Sequence, residues 1–412
     1  MDIKKVAIAC QGGGTHAAFT WGVLLKILET KKSWEKGSAD GRTFDIIGIS
    51  GTSAGALCAL ASWYGLVPNK ADPECGTTDK AIERLNFLWS TFAADTLAEI
   101  AHNATTYSIL SAKEQGIPIP FLNPYGFMDN AVLLSLAAAG ARAEYLGWSP
   151  LLEACCPHFN SIKWDGVNLR LLVGAIEVIS GNFEVFDSDK KPQKEKLKQL
   201  KNDEEEEIKR WRMLRPLSLK GVAASGTLPQ LLKAQRIENL SFPSCGESRT
   251  TVRDGFYWDG LYSQNPPVRD FLDPPTRDEK PDEIWVIRIN PQECVEEPHE
   301  PETINDRENE LAGNISLNQE LDHILMVNKW LRKIKDNDFL KTHKPVTIRT
   351  IKMTRDTAIE LRHSEKFNRS SRQLTALRDE GLAVTESWLT EWRAGGDNFS
   401  AYPCDARYSQ PH

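Results

Sequence analysis

The stretch GISGTSAGAL, residues 48–57, constrains the fold of this chain more than any other. An apolar run from Phe44 to Ile49 leads into Gly51-x-Ser53-x-Gly55, and Leu57, Leu60, Ala61 and Tyr64 then recur at helical spacing. Glycines on both sides let the backbone reverse sharply and lift the serine to the N-terminus of a helix. The plain alternative is a serine that only caps that helix. The same pattern occurs once before. Val6 to Cys10 reads as a buried strand, Gly12-Gly13-Gly14 as a turn, and Ala17, Trp21, Leu24, Leu25 and Leu28 as one helix face. Two successive strand–glycine turn–helix units predict an α/β fold with a parallel sheet.

The rest of the chain extends this pattern. Leu169 to Val178 and Phe183 to Phe186 read as a hairpin around Ser180-Gly181-Asn182. Ile284 to Ile289 and Val346 to Ile351 read as further strands, and Leu317 to Leu331 and Leu374 to Trp392 as C-terminal helices. Residues 294–310, acidic and proline-containing, read as a loop. Residues 189–212 form a charge excursion, with six lysines between Lys190 and Lys201 ahead of an acidic run. The length, 412 residues, suits one large α/β domain or two ordinary ones. We expect a catalytic α/β domain over 1–295, with 296–412 packed on it as a C-terminal strand and helices.

Composition excludes several classes. A net charge of −7 lacks the basic footprint of a nucleic-acid binder. No apolar run reaches the length of a membrane span, and no signal peptide is evident. The eight cysteines show no CxxC pair and the eight histidines no HExxH, so neither a disulfide framework nor a metal site is expected. These features suggest a cytoplasmic protein without cofactor or metal, peripheral membrane contact being left open. Oligomeric state is not legible.

Three segments carry candidate chemistry. The first is Gly12-Gly13-Gly14-Thr15-His16, whose backbone N–H groups stand at a helix N-terminus, where a phosphate or an oxyanion is favoured. Gly12-x-Gly14-x-x-Ala17 also fits a dinucleotide fingerprint, but the next strand ends in Ser50-Gly51-Thr52-Ser53 rather than in an acidic residue. The second is Ser53 in its turn. The third is Asp259-Gly260 in YWDGLYSQNPPV (257–268), a turn that aims a carboxylate; Asp254-Gly255 lies five residues earlier and invites confusion with it. An α/β-hydrolase places its serine later and follows it with an acid and a late histidine. Here His323, His343 and His363 lack a distinctive context and read as surface residues. What remains is a Ser53–Asp259 dyad.

At these residues the sequence resembles a patatin-like phospholipase of bacterial type. QGGGTHAAFTWGVL (11–24), GISGTSAGA (48–56) and DGLYSQNPP (259–267) stand in the family's order, and GVAASGTLPQLL (221–232) is similar to its small-residue stretch ending in proline. The resemblance spans about residues 4–290, and IRINPQE with the helices after it is also similar. It implies a three-layer α/β fold, a central mostly parallel sheet flanked by helices with C-terminal helices added. It also implies hydrolysis of lipid acyl esters without a metal. Ser53 takes the role of nucleophile and Asp259 that of base. The N–H groups of the turn Gly12, Gly13, Gly14 and Thr15, with Ala54, form the oxyanion hole. His16, Gly51, Gly55 and Gly260 support the turns. Two departures stand out. His16-Ala17 replaces the usual basic residue and glycine, and Leu261 replaces a second glycine after Asp259.

Residues 117–139, with Phe121, Tyr125, Phe127 and Val132 to Leu136, are a candidate acyl-chain entrance or bilayer contact; an ordinary core helix is the plain reading. The lysine run suits anionic headgroups or, more simply, solvent. Two other classes stay open: an acyltransferase using the same dyad, and a non-catalytic lipid-binding protein on this fold.

Overall fold

The strand Val6–Cys10 has no polar residue, which a strand covered on both faces requires. In the computed structural model it is an interior strand of the sheet, paired on both sides. The structure describes residues 2–35, 42–117, 124–125, 127–164, 167–189, 212–229, 231–243, 250–294, 297–335 and 337–395. Among these residues nine strands form one sheet. They are β1 (Asp2–Cys10), β2 (Arg42–Gly51), β3 (Arg170–Glu177), β4 (Phe183–Asp187), β5 (Arg212–Pro216), β6 (Gln235–Pro243), β7 (Thr250–Asp259), β8 (Glu283–Arg288) and β9 (Thr347–Lys352). The order is β5-β4-β3-β2-β1-β8-β9, with β7 paired to β3 and to β6. β1 runs parallel to β2 and β8, β2 to β3, β8 to β9 and β4 to β5. The pairs β3–β4, β3–β7 and β6–β7 are antiparallel.

Side chains alternate across the sheet and build two cores. Val6, Ile8 and Cys10 face the layer that contains α1 (Ala18–Glu35) and α2 (Ala54–Leu66). Ala7 and Ala9 face the other layer, where Leu317, Leu321 and Ile324 of the helix Pro301–Leu331 pack. The result is a central mostly parallel sheet flanked by helices. The helix Ser371–Arg393 lies on α1 and sends Trp388 and Trp392 onto Trp285 of β8.

One expectation is overturned. Residues 301–310 are not loop but the first turns of the helix Pro301–Leu331. Proline occupies the start of that helix, where its missing N–H has no intrahelical partner to lose. Thr303 closes the end by accepting from the Glu300 N–H at 3.2 Å. The charge excursion at 190–211 and the C-terminal tail lie outside the described residues. No helix among the described residues is long and apolar enough to cross a membrane.

Candidate active site

Both glycine turns stand at the C-terminal edge of the parallel strands, where each strand hands over to a helix. Ser53 ends the β2 side and α2 begins at Ala54. Its backbone has φ 55° and ψ −132°, a conformation that a residue with a side chain rarely adopts. Strain of this kind persists only where the surroundings enforce it. They do so here. The Ser53 N–H donates to Ser225 Oγ at 3.0 Å, and that hydroxyl donates to the Gly174 carbonyl at 2.6 Å. Thr52 Oγ1 donates to the Gln264 carbonyl at 2.5 Å. Gly55 lies so close to β1 that a methyl group there would run into the carbonyls of Cys10 and Gln11. Ser53 is buried, with 8% of its surface exposed.

Asp259 reaches the same place through β3. Gly51 of β2 pairs with Val173, and Asp259 of β7 pairs with Ala175, two residues further on and therefore on the same face of β3. The Asp259 N–H donates to the Thr227 carbonyl at 2.9 Å, which fixes the end of β7 on the buried segment after Ser225. The side chain is fully buried. Its Oδ1 accepts from the Leu261 N–H at 2.8 Å, and its Oδ2 has no aligned donor among the described residues. Burial pushes the carboxyl up to about 7, against the pull of the Ser53 hydroxyl and the Leu261 N–H. The serine is thus close enough to interact with the acid without closing a well-aligned hydrogen bond. Such open geometry is common before substrate binds. Leu261 in place of glycine is accommodated, because the described positive-φ residues do not include it and its N–H still meets the carboxylate. Asp254 is elsewhere, paired with Arg236 at 2.6 Å on the surface.

The first glycine turn closes over Ser53. A methyl group at Gly12 would meet Ser53 Cβ at 2.8 Å and the Thr52 carbonyl at 2.6 Å. The Gly12 N–H is already committed to Asn265 Oδ1 at 2.7 Å, so of the expected oxyanion donors Gly12 is not available. The Gly13 and Gly14 N–H groups have no acceptor among the described residues, and a short helical turn, Gly14–Ala17, begins beside them. Ala54 N–H opens α2 and Thr15 N–H opens the Gly14–Ala17 turn, positions where backbone donors are left over. Thr15 Oγ1 donates to the Glu365 carbonyl at 2.6 Å. His16 is buried, its Nε2 lacks a partner, and burial with nearby Lys366 and His363 pushes its pKa well below the usual value. It is a neutral packing residue under the turn. His363 is not the surface residue expected: burial brings its pKa down to about 4, with Lys366 contributing.

The candidate entrance divides. Phe121 and the side chain of Phe127 lie outside the described residues. Val132, Leu133 and Leu134 are exposed on the helix Phe127–Ala138, so they are no ordinary core. Tyr125 is exposed too, and its hydroxyl accepts from the Ala234 N–H at 3.0 Å. Four supports escaped the sequence reading as site residues: Ser225, Asn265, Asn290 and Lys366. The first three lie inside or beside the stretches GVAASG, SQNPP and INPQE. Lys366 has no local signal.

The family model for patatin-like phospholipases matches residues 8–272. No curated protein sequence matches the chain. Among solved structures, VipD from Legionella pneumophila is similar with 13% identity and a TM-score of 0.30, over 92% of this chain and 67% of that one. The type III effector protein ExoU is similar with 13% identity and a TM-score of 0.25, over 91% of this chain and 53% of that one. This chain therefore spans about half the length of ExoU, and both likenesses are too loose to bear on function.

Proposed function

From the premise that this chain belongs to the patatin-like phospholipase family, we propose that it is a serine acyl hydrolase that cleaves lipid carboxylic esters by a Ser53–Asp259 dyad. Membership by itself supports lipid ester hydrolysis in general; the dyad and the oxyanion donors are our reading of the geometry. The observation that carries it is the pairing of a strained, buried serine with a fully buried carboxylate of which one oxygen is anchored and the other unengaged.

The chemistry follows from that pairing. An aspartate at its ordinary pKa is a weak base for a hydroxyl, and one raised to about 7 is stronger while a substantial fraction stays ionised at neutral pH. Ser53 Oγ attacks the ester carbonyl as Oδ2 takes its proton. The oxyanion is received by the N–H groups of Gly13, Gly14 and Ala54, with Thr15 beside them, each donor contributing roughly 3–4 kcal/mol. Collapse breaks the bond to the leaving alcohol, which leaves with the proton from Asp259. Water then attacks the acyl-serine, gives a proton to Asp259 and releases the fatty acid, and the proton returns to Ser53. Residues 296–412 belong, in this reading, to the same domain as 1–295, because they supply β9 and the contacts on the first turn. The exposed apolar helix Phe127–Ala138 supports contact with aggregated lipid, making the protein peripheral to a membrane while it works.

Fatty-acid release from phospholipid and monoglyceride vesicles, with and without an acceptor alcohol, tests the proposal in wild type, Ser53→Ala and Asp259→Asn. Free fatty acid in wild type, absent in Ser53→Ala and reduced about 10²-fold or more in Asp259→Asn, is expected. A transacylated alcohol as the main product points to an acyltransferase. Wild-type binding of vesicles without any product points to a lipid-binding protein.

A further inference from the structure

Lys366 is a charge that the dyad does not explain. It stands in the short turn Ser364–Phe367, more than a hundred residues beyond Asp259, and it is half-buried beneath the first glycine turn. Its Nζ donates to Asn290 Oδ1 at 2.9 Å and to Asn309 Oδ1. The carboxylates of Glu310, Asp306 and Glu114 and the imidazoles of His16 and His363 surround it. The space between these groups is a cavity of about 20 Å³, room for one small molecule such as water and none for a lipid ester. The lysine therefore has no room beside it for the acyl ester that Ser53 would attack. Burying an ammonium against amides is costly unless its partners need it.

The other end of Asn290 supplies the need. Its Nδ2 donates to the Gly12 carbonyl at 3.2 Å. A peptide group is planar and trans, so holding the Gly12 carbonyl toward Asn290 turns the Gly13 N–H the opposite way. An asparagine amide alone is ambiguous, since a half-turn exchanges its donor and its acceptor. An ammonium has donors only, and so it fixes Oδ1 toward itself and leaves Nδ2 for Gly12. The main chain adds a clamp: a methyl group at Gly14, which has φ 58°, would run into the Lys366 carbonyl.

We propose that Lys366 is a positioning residue which, through Asn290, locks the Gly12–Gly13 peptide with the Gly13 N–H presented to the ester oxygen under attack at Ser53. The inference rests on the Ser53 reading above. It places part of the oxyanion site's support in the C-terminal third of the chain, outside the segment that the family model matches. It also gives a physical reason why a neutral His16, whose Nε2 has no partner among the described residues, suffices beside the glycines: the cation beneath the turn comes from elsewhere in the chain.

The test compares wild type, Lys366→Met, Asn290→Asp, the double variant and Ser53→Ala. Steady-state turnover of a p-nitrophenyl ester is measured together with the Gly13 amide resonance in a deuterated, ¹⁵N-labelled sample. Lys366→Met removes the donor and keeps the length; Asn290→Asp sets a carboxylate against the Gly12 carbonyl. Each is expected to lower kcat about 10–100-fold with KM within about 2-fold, because the lost donor acts on the oxyanion rather than on the bound ester. The double variant is expected to lose no more than the worse single one, and the Gly13 resonance is expected to move in both. Wild-type kcat in Lys366→Met, fully additive losses, or an unmoved Gly13 resonance would overturn the proposal. Turnover that survives in Ser53→Ala condemns the dyad instead, and the Gly13 resonance then still decides the peptide's orientation. Where Lys366→Met fails to fold, Asn290→Asp carries both readouts.

Discussion

The two glycine turns share one design and are held in different ways. Each joins a parallel strand to a helix, β1 to α1 and β2 to α2. The Ser53 turn is held chiefly by close packing: Gly55 is wedged against the β1 backbone, with the Ser53 N–H on Ser225, itself pinned to β3. The Gly12–Gly14 turn is held chiefly by hydrogen bonds. Asn265 takes the Gly12 N–H, Asn290 the Gly12 carbonyl, Glu365 the Thr15 hydroxyl, and the Lys366 main chain covers Gly14. The difference teaches how precision is divided. A nucleophile must be rigid in one strained conformation, which close packing provides. An array of oxyanion donors must point in a given direction, which hydrogen bonds to the Gly12 N–H and carbonyl provide while the Gly13 and Gly14 N–H groups stay open.

Breaking the packed turn is expected to have the largest effect. Gly55→Ala forces a methyl group into two backbone carbonyls, and a urea melt should show a loss of about 3–5 kcal/mol, with ester turnover falling below detection. A loss under about 1 kcal/mol would mean that the turn is looser than described.

The acid beneath that turn gives the next effect, of opposite sign. The Asp259 carboxyl is held at about 7 in the folded chain, above its usual value near 3.8, so folding favours its neutral form. Its stabilisation is complete below pH 4 and is lost as pH rises through 7. Asparagine is neutral throughout. At pH 8, Asp259→Asn should therefore be more stable than wild type by about 4 kcal/mol, and the gap should close toward pH 4. Melting temperatures across this range check it; a gap independent of pH contradicts it.

The hydrogen-bonded turn gives the smallest effect. Thr15→Val removes the donor to the Glu365 carbonyl, one bond among several. The expected loss is about 1 kcal/mol in a melt and roughly 3-fold in kcat. An effect as large as that of Gly55→Ala would erase the contrast between the two turns.

Legibility in the sequence follows the same division. The packed turn announces itself, since Gly51, Ser53 and Gly55 are adjacent in the chain and apolar runs mark the strand and helix around them. The Gly12–Gly14 turn was visible as glycines, but which of its N–H groups stays open was not. That depends on Asn265 reaching across 253 positions to take the Gly12 N–H. Lys366 looks like any other surface lysine, because its burial arises only when the turn Ser364–Phe367 docks under the glycines. The strands β1–β4, β8 and β9 follow from apolar runs and one glycine hairpin. β5, β6 and β7 do not, since Arg215, Arg236, Arg253 and Asp254 interrupt them. Two of those arginines are satisfied by ion pairs that cross the sheet, Arg215 with Glu184 at 2.8 Å and Arg253 with Glu177 at 2.9 Å. Such pairs are invisible to a periodicity that counts apolar residues. The helix that begins at Pro301 was hidden for a related reason: proline and acidic residues suggest a loop until their place in a first helical turn is known.

The account's central claim is that Asp259 activates Ser53, and the rate of covalent labelling by a fluorophosphonate probe measures that step without any choice of lipid. Wild type and Asp259→Asn would be labelled between pH 5 and 9, with the modified residue identified by peptide mass. The account predicts that Ser53 carries the label, at a rate that rises with pH through a single ionisation near 7 and then levels, as the buried carboxyl gains its charge. In Asp259→Asn the rate should fall about 10²-fold or more and lose that ionisation. A label on another residue, or an unchanged rate and profile in Asp259→Asn, would contradict it.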